Sequence, residues 1–236
     1  MNWFFVGADL GQKRDHTAIA VIERVEGRGA FDRTVYAYPK TAELQLRYLE
    51  RLPLGIPYTE MVRRIAAVTQ DRRLAGRCHL AVDGTGVGGP VVDLLREARL
   101  EAVLMPVTIT SGQRETAGQG YYGVPKRDLI HGLQTLMEQG GLKIADRLDY
   151  GPSLVEEMMA MEVKVSPSGN EQMAAWREGT HDDLVFAVAL ACWSARKAFP
   201  RPTRDHEKWW VNEHLADAER MFRNFKAQEG RMVGRW

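Results

Sequence analysis

The chain has 236 residues, 44% hydrophobic and 27% charged, with a formal net charge of +1, an ordinary balance for a globular protein with one sizeable core. Near-neutrality neither requires nor excludes a nucleic-acid partner, since a local basic patch can coexist with an acidic site. The two cysteines, Cys78 and Cys192, have no metal-ligand spacing and fall in apolar stretches, which excludes a disulfide scaffold and reads as two buried free thiols.

No apolar run approaches the ~20 residues that span a bilayer, and the N-terminus lacks a basic n-region and cleavage site. A cytoplasmic protein with no membrane partner is the expectation. In chain order, residues 3–9 (WFFVGAD) read as a buried strand ending in Asp9. A polar turn containing Gly11 leads to a β-rich run at 17–22, a pairing that favours a hairpin. Gly27 and Gly29 mark another turn, and the alternating run at 33–38 supplies a third strand, completing an antiparallel meander. From 58 to 73 the period becomes helical, with Met61, Ile65, Ala66 and Val68 near one face and Pro57 at the start. Residues 78–83 (CHLAVD) form a short apolar strand that again ends in an acid, Asp83. A glycine-rich loop over 84–90 enters a helix at 91–98, and 102–107 is a further strand. This alternation implies parallel pairing through crossovers.

Residues 108–123, rich in Thr, Ser, Gly and Gln, read as a long mobile loop of the kind that is functional or disordered. A helix runs from Pro125 through Gln139, with Leu129, Ile130, Leu133, Leu136 and Met137 on its apolar face. A short strand at 142–144 and a Met-rich helix at 153–161 follow, with Met158, Met159 and Met161 read as core filling. A turn at 167–170 joins two short strands. The next helix opens as THDDLVFAVALA (180–191) and ends before Pro200. Beyond Pro202, Trp209, Trp210 and a Leu215, Ala218, Met221, Phe222, Phe225 stripe suggest an amphipathic helical tail. The expected division is a domain over 1–200 and a tail over 201–236, folded back or docking a partner.

The chemistry gathers on the acids. One aspartate at a helix start is explained by the helix dipole. Two in tandem, Asp182 and Asp183, on so apolar a helix need a further reason, and a divalent metal supplies one. If the first and fourth strands are parallel neighbours, Asp9 and Asp83 stand together at the strand ends where ligands of open α/β sheets bind. A late helix against that edge adds Asp182 and Asp183. Carboxylates converging without His or Cys favour Mg²⁺ or Mn²⁺. Such sites hold two ions ~4 Å apart that stabilise the entering and leaving oxygens of a phosphodiester displacement.

Three signatures in this order, GADLG at 7–11, DGTGVG at 83–88 and THDDLV at 180–185, resemble the RNase H-like nuclease superfamily. Within it they are most similar to the nuclease domain of the large terminase subunit of tailed bacteriophages, and VPKRDLI (124–130) and GLKI (141–144) resemble that family's linking segment. The resemblance covers about residues 1–198. It implies a mixed five-stranded sheet, an antiparallel meander of strands 1–3 followed by parallel strands 4 and 5, flanked by helices. It also implies an Mg²⁺- or Mn²⁺-dependent endonuclease that cuts concatemeric viral DNA during packaging. Asp9, Asp83 and Asp182 or Asp183 would hold two ions, with Asp182 favoured as the main ligand and Asp183 as second ligand or support. The implied partners are double-stranded DNA and a packaging ATPase, portal or small terminase subunit. Full-length relatives carry an ATPase motor ahead of the nuclease; here there is no G-x-x-x-x-G-K-[ST] motif. An isolated domain and a separately encoded nuclease both fit.

The remaining residues carry weaker signals. Lys13, Arg14, Lys126 and Arg127 lie in loops or helix starts expected to flank the site and to meet phosphates, and His181 either assists proton transfer, contacts phosphate, or is a histidine held by a neighbouring carboxylate. Arg114, with Tyr121 and Tyr122, gives the 108–123 loop the basic and aromatic character of a DNA-contacting flap. Two rival functions remain: a RuvC-type junction resolvase, which shares the metal logic, and an actin-like or sugar-kinase ATPase. The ATPase reading leaves Asp182 and Asp183 unexplained.

Overall fold

The computed structural model describes residues 2–11, 15–31, 33, 36, 38, 40–86, 88–98, 100–165, 171–175 and 181–199. Its centre is one mixed sheet built from β1 (Trp3–Asp9), β2 (Ala18–Arg28), β3 (Lys40–Arg51), β4 (Cys78–Asp83), β5 (Ala102–Thr110), β6 (Thr116–Gly118), β7 (Tyr121–Pro125) and β8 (Leu142–Ile144), in the order β6-β7-β5-β4-β1-β2-β3-β8. β1, β2 and β3 form the antiparallel meander; β4 and β5 run parallel to β1. The helices are α1 (Tyr58–Thr69), α2 (Gly88–Glu97), α3 (Lys126–Glu138), α4 (Gly151–Ala160) and α5 (Asp183–Ala198). β9 (Met161–Val165) and β10 (Glu171–Ala175) make a separate antiparallel pair. They are the two short strands expected around 167–170; that turn, and the tail over 201–236, lie outside the described residues.

The meander and the parallel strands are as expected, but the sheet has eight strands rather than five, and the third is not where the alternating pattern put it. It is Lys40–Arg51, not 33–38. Tyr36 and Tyr38 instead each pack edge-on against Phe31, with ring centroids 5.1 Å apart, and all three are exposed. β3 carries a bulge against β2, where Val21 pairs with Tyr48 and Ile22 with Leu46. The extra residue puts Leu46 and Leu49, three apart, on the same buried face and so breaks the simple two-residue period.

Alternation along the strands separates two cores. Val6, Ala8, Ile19, Val21, Leu80 and Val82 face α1 and α2. The other face, which includes Phe5, Gly7, Ala20 and Ile22, receives α5. Every α5 residue from Asp183 to Ala195 is buried, as expected of a helix that is apolar all round, with the sheet on one side and α3 and α4 on the other. Gly7 makes the closest approach: a Cβ there would lie 1.9 Å from the Ala187 carbonyl oxygen. The helix backbone therefore rests directly on β1, running antiparallel to it, with its N-terminus at the strand end that carries Asp9.

Candidate metal centre

Four strands contribute one row to the α5 face. Ala8 pairs with Val82, so Asp9 and Asp83 are neighbours at the ends of parallel strands. Asp9 pairs with Ala18, and Ala18 with Arg51. The row Asp83, Asp9, Ala18, Arg51 thus crosses β4, β1, β2 and β3, with Arg51 two strands, roughly 10 Å, from Asp9. Asp182 and Asp183 arrive at this row on the N-terminal end of α5.

The acids load the site with unfavourable charge. Burial, then repulsion from Asp83, Asp182 and Asp183, pushes the Asp9 carboxyl well above the usual range, with Lys126 acting the other way. Burial also raises Asp83, opposed by hydrogen bonds, among them the Thr85 N–H donated to Oδ1 at 2.8 Å and one shared with Asp9. Two carboxylates that meet in this way need a proton or a cation between them.

The tandem pair divides. Asp182 is one-third exposed and faces the Lys126 ammonium at 3.5 Å, which also lies 4.5 Å from the centre of the Phe186 ring. Asp183 is almost fully buried, and its Oδ2 accepts from Arg51 Nε at 2.7 Å. Its Oδ1 is buried without a hydrogen-bond partner, 3.8 Å from His181 Nδ1. Arg51 also pairs with Glu157, whose Oε2 accepts the Leu184 and Val185 amides at 3.1 and 3.3 Å. Burial, together with repulsion from Asp183, raises Glu157 to about 7 despite Arg51.

Oxygen donors, an acid pair that needs a positive partner and an unpartnered buried carboxylate oxygen suit a hard divalent cation. Among the described residues no three His, Cys, Asp or Glu side chains close into a finished metal cluster; the chain's own cations, Lys126 and Arg51, each hold one of the tandem acids.

The remaining expected residues lie as follows. His181 is at the rim, edge-on to His16 with ring centroids 5.0 Å apart, and His16 Nδ1 meets the Leu52 carbonyl at 2.8 Å. Arg127 is beside the site but engaged, donating to the Gln113 carbonyl at 2.9 Å and pairing with Asp128. Arg114 is exposed in the connection after β5. Lys13 and Arg14 fall outside the described residues. The expected mobile loop at 108–123 is instead the end of β5 and the β6–β7 hairpin, tied down on α5 and α2. Glu115 accepts from Trp193 Nε1 at 3.0 Å and from Arg196 and Lys197 at 3.1 Å. Tyr122 packs on Trp193, while Tyr121 lies against Gly84 with Arg96 over its ring. Both tyrosines anchor the hairpin.

Arg51 and Glu157 went unseen in the sequence. The signal for Glu157 was present: it lies three residues after Leu154, on the face of α4 that those two bury, whereas Met159, expected in the core, is 81% exposed.

No family model and no curated protein matches the chain. Among solved structures it is similar to the large terminase nuclease from thermophilic phage G20c with bound magnesium (TM-score 0.54, 23% identity, 81% of each chain covered). The same nuclease with bound cobalt matches equally, with TM-score 0.54. The large terminase nuclease domain of Thermus phage P74-26 matches with TM-score 0.53 and 21% identity, over 80% of this chain and 78% of that one. The fold is the RNase H-like α/β fold. More narrowly, its architecture is similar to that of the phage large terminase nuclease domains.

Proposed function

We propose that the chain is a divalent-metal-dependent DNA endonuclease of the terminase type, cutting concatemeric phage DNA during genome packaging. The observation that carries this reading is the convergence of Asp9 and Asp83, from adjacent parallel strands, with the Asp182–Asp183 start of a buried helix. Solved nucleases of the same fold that hold magnesium and cobalt support it.

Asp9, Asp83 and Asp182 would hold Mg²⁺ or Mn²⁺ as two ions, with Asp183 as second ligand or support through its open Oδ1. The metals would activate a water and stabilise the leaving 3′ oxygen. The chain's residues provide the rest. Asp9 and Asp83 supply negative charge that is costly until a cation neutralises it. Lys126 holds Asp182 at the mouth of the site, and its ammonium is within reach of a phosphate approaching the acids. Arg127 and Arg114, further out, fit backbone contacts to double-stranded DNA. A packaging ATPase, portal or small terminase subunit is the matching class of partner, and the bacterial host cytoplasm the matching place.

A plasmid-nicking assay with Mn²⁺ on the wild type and on Asp9→Ala, Asp83→Ala and Asp182→Ala tests the reading. Supercoiled DNA is expected to be nicked by the wild type and at least 100-fold more slowly by each variant. Equal rates in all four proteins would refute it.

A further inference from the structure

The first turn of a helix has amides with no partner inside the helix, and the residue before it ordinarily accepts one with its own side chain. In α5 that residue is Asp182, whose carbonyl takes the first intrahelical bond from the Phe186 amide at 3.0 Å. The two amides just before it, those of Leu184 and Val185, are the ones an N-terminal aspartate normally caps. They are taken instead by Glu157, a side chain from α4 twenty-seven and twenty-eight residues away. Arg51 binds the other Glu157 oxygen and the Asp183 carboxylate, and Tyr150 completes the arrangement, its hydroxyl donating to the Arg51 carbonyl at 3.4 Å and its ring 6.0 Å from the guanidinium carbon. Capping is thereby removed from Asp182, whose carboxylate faces Lys126 and the Asp9–Asp83 pair.

We propose that Arg51 and Glu157 are positioning residues: by capping α5 from outside and fixing Asp183, they leave the Asp182 carboxylate free to serve the acidic site. Loss of Glu157 would let Asp182 fall back onto its own helix as an ordinary N-cap, so the helix would survive while the site loses an acid. The catalytic half of this inference rests on the nuclease reading; the structural half does not.

Two measurements test it on the full chain. Mn²⁺ affinity, read by the paramagnetic resonance of the free ion, is expected to fall at least tenfold in Glu157→Ala and in Arg51→Ala. Glu157→Gln, which keeps an acceptor for the amides, should recover much of that loss. Nicking should show a lowered kcat with KM for DNA little changed. Wild-type affinity in Glu157→Ala would overturn the proposal. The second measurement is a thermal double-mutant cycle. Asp182→Ala should lower Tm clearly more in the Glu157→Ala background, where Asp182 has become the cap, than in the wild type. Equal shifts in both backgrounds would overturn the capping argument. Should Arg51→Ala fail to fold, Arg51→Lys, which keeps the charge but loses the two-sided geometry, takes its place with the same expected loss of affinity. If the wild type itself neither binds Mn²⁺ nor nicks DNA, the nuclease reading falls and the catalytic half with it, while the thermal cycle still decides the cap.

Discussion

The close seat of α5 on β1 makes Gly7→Ala the sharpest perturbation of both fold and site. A methyl group there would lie 1.9 Å from the Ala187 carbonyl oxygen and 2.7 Å from the Ala191 nitrogen. Carbon and oxygen ordinarily approach no closer than roughly 3.3 Å, so the helix must withdraw by about 1 Å or more, and both obstacles are backbone that cannot rotate aside. Overpacking of this kind costs about 1–3 kcal/mol, and for a chain of this size that is a Tm lowered by roughly 2–12 °C. The same withdrawal moves Asp182 and Asp183 away from Asp9, and a misplacement of about 1 Å in a catalytic arrangement costs on the order of 100-fold in rate. Thermal unfolding and Mn²⁺-dependent nicking well below Tm measure the two effects separately. Gly89→Ala is the control, because a Cβ there meets nothing within 4 Å. Wild-type stability in Gly7→Ala would refute the backbone contact. Lowered stability with a wild-type rate in the fully folded protein would refute the argument that this contact positions the acids.

Two further expectations concern groups away from the acids. His79 lies against the rings of Trp3 and Phe5 with its Nδ1 buried and unpartnered, and burial lowers its pKa from 6.5 to about 4. The unfolded chain accepts this proton more readily than the folded one, so the contribution is intact above pH 6.5 and is lost as pH falls toward 4, by up to about 3 kcal/mol. His79→Phe should flatten the fall of Tm between pH 7 and pH 4, and an unchanged slope would refute the assignment. Burial pushes the Cys78 and Cys192 thiols up to about 12. Neither should react with an aromatic disulfide reagent at pH 8 in the native protein and both should in denaturant; rapid native labelling of either would contradict the packing around β4 and α5.

What the sequence revealed and what it hid differ in physical kind. β4 was legible to the residue, Cys78–Asp83, because an apolar run too short for a helix ends in an acid and a glycine loop. The start of α5 was legible because charge on an apolar helix is anomalous. β3 was not, since it is built of Leu, Glu, Gln and Arg, better helix formers than strand formers, and its bulge erases the two-residue period. The β6–β7 hairpin was hidden by its turn, where Gln119 and Gly120 both have positive φ; the usual first residue of such a turn is Asn or Asp.

The misplaced third strand then carried through to the site. With β3 assigned to 33–38, Arg51 had no reason to be read as a strand-end charge beside the acids, and without Arg51 the buried Glu157 had no partner to explain it. Acids at element ends announce themselves locally, because a carboxylate at the end of an apolar run is costly wherever the chain folds. The cations that hold them announce themselves less well: Lys126 was expected beside the site, as a phosphate contact, but Arg51 was not. Arg and Lys are common surface residues, and Arg51 becomes specific only through partners 106 and 132 positions away. The sequence therefore exposed the acids and one flanking cation, Lys126, whereas Arg51, which holds Asp183 and leaves Asp182 to Lys126, became visible only in the tertiary structure.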